Sequence, residues 1–118
     1  MSTHPNVILM AVLTPEGLSR KTMNAILAEA GVTDIDDEIK IGSGDYNPLV
    51  METDYDEGWQ ISAKEGDLVF HDFLTYGYGQ VVEWEKIEAQ KKELEDWAKA
   101  ICERHHCTYK IMVTANYW

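Results

Sequence analysis

A chain of 118 residues that is 45% hydrophobic and 26% charged carries enough apolar material to bury a core and too much to stay disordered. Its formal net charge of −11 argues against unaided binding to nucleic acid or to anionic lipid, both of which repel a negative surface. Its longest apolar run falls far short of the ~20 residues that span a bilayer.

Residues 7–13 form a continuous apolar run bounded by Pro5-Asn6 and Thr14-Pro15, the pattern of a strand buried on both faces. The run is short and no basic region precedes it, so it does not read as a signal peptide. A helix is predicted from about Ser19 to Gly31, with Leu18, Thr22, Met23, Ile26, Leu27 and Ala30 on one stripe and a glycine just past its end.

The middle of the chain is rich in strands and turns. Residues 39–41 lead into the turn Gly42-Ser43-Gly44-Asp45, and residues 49–53 into the acidic Asp54-Tyr55-Asp56-Glu57-Gly58. Residues 59–63 and 68–75 flank Lys64-Glu65-Gly66-Asp67, a hairpin signal.

The strongest element runs from about Val82 to His105. Trp84, Ile87, Leu94, Trp97, Ala98, Ile101 and Cys102 share one face, and Glu88 with Lys92 and Glu95 with Lys99 stand at i,i+4 on the other. Residues 108–114 read as a final strand. The predicted order is β-α-β-β-(β)-(β)-α-β. That is a single α+β domain over 1–118, with a small antiparallel-rich sheet of about four to five strands packed by two helices. Placing both helices on one face buries one apolar stripe from each.

Charge is the most informative feature. Residues 32–72 hold twelve acids against two bases, which accounts for ten of the eleven net negative charges. A field confined to one region addresses a partner more readily than it merely solubilises. Asp34, Asp36 and Glu38 alternate, as do Glu52, Asp54 and Asp56. In extended chain such residues recur on one face every ~6.7 Å, an interval resembling that of phosphates along a nucleic-acid strand. The expected partner-binding residues are Asp34, Asp36, Asp37, Glu38, Glu52, Asp54, Asp56 and Glu57, with Tyr76 and Tyr78 of Tyr76-Gly77-Tyr78-Gly79 as contact anchors. The bland reading of the same residues is a solvated loop face.

Other chemistry is weakly marked. Asp54-x-Asp56-x-Gly58 resembles a calcium loop, but its glycine falls where the third ligand belongs. Cys102, His105, His106 and Cys107 offer zinc donors, but four ligands from six consecutive residues make a poor tetrahedron without a remote ligand such as His71 or His4. Both cysteines lie at a helix C-terminus, the wrong end to stabilise a catalytic thiolate. Two cysteines make no disulfide framework, and free thiols in a reducing cytoplasm are expected. No nucleophile elbow, phosphate loop or dinucleotide fingerprint occurs. No enzyme activity, metal or cofactor is therefore expected.

In size, acidity and lack of catalytic motifs the profile resembles that of phage anti-restriction and anti-CRISPR inhibitors. This resemblance implies a non-enzymatic, cytoplasmic viral inhibitor that occupies the basic nucleic-acid-binding groove of a protein partner. The alternatives are a small-molecule or metal-binding α+β domain, and a structural protein that assembles through its aromatics.

Overall fold

A computed structural model describes residues 5–54 and 62–117. Its elements are β1 (Pro5–Pro15), α1 (Arg20–Glu29), β2 (Ile39–Ile41), β3 (Gly44–Val50), β4 (Leu68–Tyr76), α2 (Trp84–His105) and β5 (Cys107–Tyr117). The strands form one five-stranded sheet in the order β2-β3-β4-β1-β5, and every neighbouring pair is antiparallel. This is the expected α+β architecture with two helices.

β1 is buried on both faces, as its unbroken apolar run requires. Leu9, Ala11 and Leu13 join the core beneath the helices, together with Leu68 and Phe70 of β4, Met23 and Ile26 of α1, and Leu94, Ala98 and Ile101 of α2. The alternate residues Ile8, Met10 and Val12 face the other side and pack with Val69, Met51 and Ala63. Burying a strand twice in this way removes about 1.5–3 kcal/mol worth of apolar surface per large side chain. The register of β1 with β4 shifts between Val7 and Ile8; Leu74, the unpaired residue at the shift, packs against the helix-side core on the same face as Phe70.

α1 is fixed at both ends by its own sequence. The Ser19 hydroxyl accepts from the Thr22 amide at 3.3 Å, filling one of the donors a helix start leaves open. At the other end Gly31 takes a φ of +82°, and the Gly31 and Val32 amides donate to Ala28 and Leu27. That is the glycine-terminated cap in which the residue after the glycine packs back on the core, as Val32 does.

α2 is shorter at its start than its periodicity predicts. Trp84, placed on the buried stripe by spacing, is 67% exposed at the first residue of the helix. Trp97 is placed as predicted, edge-on to Phe70 with ring centroids 4.9 Å apart. The ion pairs formed along α2 are Lys91 with Glu95 at 3.8 Å and Lys92 with Asp96 at 2.9 Å, not the Glu88–Lys92 and Glu95–Lys99 pairs expected from spacing.

Three strand boundaries differ from expectation. β3 begins at Gly44 and ends at Val50, whereas the sequence places its strand at 49–53. The predicted strand at 59–63 lies largely outside the described residues, and Ser62 and Ala63 are not in a strand. β5 starts one residue earlier and runs three residues further than predicted.

Candidate functional site

The acidic residues are not a row. Asp34, Asp36 and Asp37 sit in a compact turn between α1 and β2. There the Thr33 hydroxyl and the Asp34 amide donate to the Asp37 carboxylate, and the Asp36 amide donates to Asp34. The Asp37 amide donates to the Asp34 carbonyl at 2.9 Å, which closes the turn. The extended alternation expected for Asp34, Asp36 and Glu38 is therefore replaced by side-chain-to-backbone bonding, a competition that Asp and Thr commonly win outside regular structure. Asp34 and Asp36 stay exposed and Asp37 is half-buried, with the Asp34 and Asp37 carboxylates held by these bonds.

Glu52 and Asp54 lie beyond β3 in non-strand backbone, so the second expected row is corrected in the same way. Glu52 approaches Arg20 at 3.9 Å, with both side chains well exposed, a contact that adds little to stability. Asp54 accepts from the Glu65 amide at 2.8 Å, tying together the two flanks of the stretch between β3 and β4. Asp56 and Glu57, with Gly58 of the calcium-like pattern, lie outside the described residues. Glu52, Glu65, Arg20 and Met51 border an open cleft of about 320 Å³.

Tyr76 and Tyr78 are exposed, at 54% and 73%. They stand at the far end of β4 from Leu68, where Val50 and the Glu52 turn lie. Nine strand residues separate those ends, roughly 26 Å at the usual rise. The eight of these residues that the structure describes thus divide among three places. Asp34, Asp36, Asp37 and Glu38 follow the C-terminal end of α1. Glu52 and Asp54 lie near its N-terminal end, and the tyrosines lie at the opposite end of the sheet.

Charge and spacing do not reveal the polar cluster under α2. Gln90 donates to the Tyr46 hydroxyl at 3.1 Å and to the Asp72 carboxylate at 3.2 Å. Asp72 also accepts from the Asp45 amide at 3.3 Å. Burial raises the pKa of the Asp72 carboxyl, opposed by these donated bonds, and burial pushes the Tyr46 phenol up to about 12. The cluster joins β3, β4 and α2, and its only sequence signal is a polar residue, Gln90, on the inner side of an amphipathic helix. On the opposite face of the sheet His71 is desolvated, and burial lowers its pKa to about 4.

The cysteines are corrected most directly. Cys102 and Cys107 are joined as a disulfide with Cα atoms 4.5 Å apart, so they are not free thiols and in this state are not a pair of thiolate ligands. The bond links the last turn of α2 to the start of β5 across His106, which caps the helix at a φ of +50°. His105 and Arg104 instead engage Glu29 at the end of α1, and these partners lower the Glu29 pKa. Among the described residues no three His, Cys, Asp or Glu side chains gather as a metal site, and no helix is long and apolar enough to cross a membrane. No family model, curated protein or solved structure matches the chain.

Proposed function

We propose that the protein is a non-enzymatic inhibitor whose acidic half enters the basic nucleic-acid-binding groove of a protein partner. The supporting observation is the confinement of ten of eleven net negative charges to residues 32–72, the part of the chain that runs from the end of α1 through β2 and β3 into β4. Two acidic groups, Asp34–Asp36–Asp37–Glu38 and Glu52–Asp54, bracket α1 about 15 Å apart, the length of its ten residues. In the first group the Asp34 and Asp37 carboxylates are held by local hydrogen bonds, so ordering these two costs little on binding. Attraction of this kind steers encounter and weakens with salt.

The contact is a two-point engagement, one group at each end of α1, in place of a phosphate-spaced row. Size, acidity and lack of catalytic motifs support restriction or CRISPR enzymes as the partner class, with the cytoplasm of a phage host as the setting. In that setting the Cys102–Cys107 bond would meet a reducing environment.

The test is displacement of nucleic acid from such enzymes, read by fluorescence anisotropy at two salt concentrations. The unaltered chain should displace it, and do so less well at high salt. Reversing Asp34, Asp36 and Glu38 to lysine, or Glu52 and Asp54, should each weaken displacement. Unchanged displacement by both variants would sink the proposal.

A further inference from the structure

The two edges of the sheet are unlike. β2 presents three residues beside the acidic turns. β5 presents eleven residues in unbroken register with β1, from Pro5 opposite Tyr117 to Pro15 opposite Cys107. Long regular edges are normally blunted by charge, proline, a bulge or a covering element, because their backbone groups template another strand. β5 has no proline and no bulge, and Lys110 is its only charged residue. Among the described residues no strand lies beyond it.

An apolar groove of about 350 Å³ adjoins this edge, between the sheet and the first half of α2. Val7, Leu74, Trp84, Ile87 and Val113 line it, and Val113 is 58% exposed. Val113 faces the fully buried Leu9 across β1–β5, so the core beneath the helix continues to the open edge.

Charge decides what can meet that edge. The acidic segment lies on the other side of β1, toward β2. Nucleic acid would find a single lysine on β5, too little cation to hold phosphates. A second copy of this chain brings a matching edge of the same near-neutral character. Pairing two such edges leaves the two β2 edges nine strand spacings apart, roughly 43 Å, several times the screening length of ~8 Å at physiological salt.

We propose that two copies pair antiparallel through β5, forming a continuous ten-stranded sheet. Full overlap of the two β5 strands sets Met112 at the twofold axis, with Val113 opposite Ile111 of the second copy and Tyr109 opposite Ala115. The two Lys110 side chains are not opposed. The axis stands normal to the sheet, so both α2 helices lie on one face and each apolar groove borders the other copy's Ile111 and Tyr109. Such an interface is isologous and closes at two subunits. It uses a surface separate from the acidic half, so it stands or falls independently of the proposed inhibition.

Sedimentation equilibrium of the full chain tests it. The expected mass at about 100 µM is twice the 13.5 kDa of one chain, dissociating on dilution. Val113→Lys and Ala115→Lys, both at exposed positions, should each raise the dimer dissociation constant about tenfold or more, while Asp34→Lys leaves it unchanged. A monomer at that concentration overturns the proposal, as does a dimer unmoved by both lysine variants when these melt like the parent. If a variant fails to fold, amide exchange of β5 in the unaltered chain decides. Protection that rises with concentration supports the pairing, and protection independent of concentration overturns it.

Discussion

The Glu93 carboxylate accepts both the amide and the hydroxyl of Ser43, each at 2.9 Å. One exposed side chain on α2 thereby holds the tip of the β2–β3 hairpin, and the two donors lower its pKa. The hairpin can come this close because Gly42 has no side chain. A Cβ there would lie 2.3 Å from Glu93 Oε2, and Gly42 has a φ of +61°.

Gly42→Ala should therefore cost more than an ordinary glycine replacement. The left-handed backbone alone accounts for about 1–2 kcal/mol, and Glu93 must also move. Chemical denaturation would measure this loss. Glu93→Ala in the Gly42→Ala background should then cost less than Glu93→Ala alone, since the contact is already broken.

Stability should fall as pH drops below about 6.5. His71 has its folded pKa lowered to about 4 by burial, so between those values the unfolded chain binds the proton more readily than the folded one. Stability from the neutral ring is complete above the unfolded pKa and is lost as pH falls toward the folded one, on the order of 2 kcal/mol by pH 4.5. Asp72 opposes this trend, because its raised pKa favours the folded state as it takes up a proton. Urea titrations at pH 7 and 4.5 should show the loss, and His71→Gln should flatten it.

Reducing the Cys102–Cys107 bond should weaken the fold without abolishing it. The bond spans a sequence separation of five, and closing so short a loop restricts the unfolded chain by about 2 kcal/mol. The core formed by Leu94, Ala98 and Ile101 does not depend on it. Denaturation midpoints with and without a thiol reductant should differ by that amount, and Cys102→Ser/Cys107→Ser should be insensitive to reductant.

Tyr46→Phe should destabilise modestly, by about 1 kcal/mol. It removes the acceptor at 3.1 Å but leaves Gln90 its bond to Asp72. Gln90→Leu should cost more, since it strips a donor from the partly buried Asp72 carboxylate and should raise that pKa further. NMR titration of the Asp72 side chain would read the second effect.

Periodicity carried most of the fold. An apolar run specified β1, a serine and a glycine marked the ends of α1, and a helical stripe specified α2. β3 was hidden because Gly44, Asp45, Asn47 and Pro48 are turn formers. They are tolerated since β2 pairs only with Gly44, Asp45 and Tyr46, so at Pro48 one side of β3 is an edge, where a missing N–H costs nothing. The site was less legible, for a related reason. Counting charges located the acidic half but not its shape, which depends on which carboxylate captures which amide. Asp37 and Asp54 each close a local loop, and Asp72 meets Gln90 only once the sheet register and helix position are set.

The double burial of β1 also shapes how the chain must fold. Its partners are β4 and β5, so Ala11 is matched with Phe70 on one side and Ile111 on the other. Contacts so distant in sequence close late, and folding dominated by them is slow. Until β5 arrives, one side of the most apolar strand stays open to other chains. Truncation before β5 should consequently yield aggregation, with the completing strand acting as the molecule's own safeguard against it.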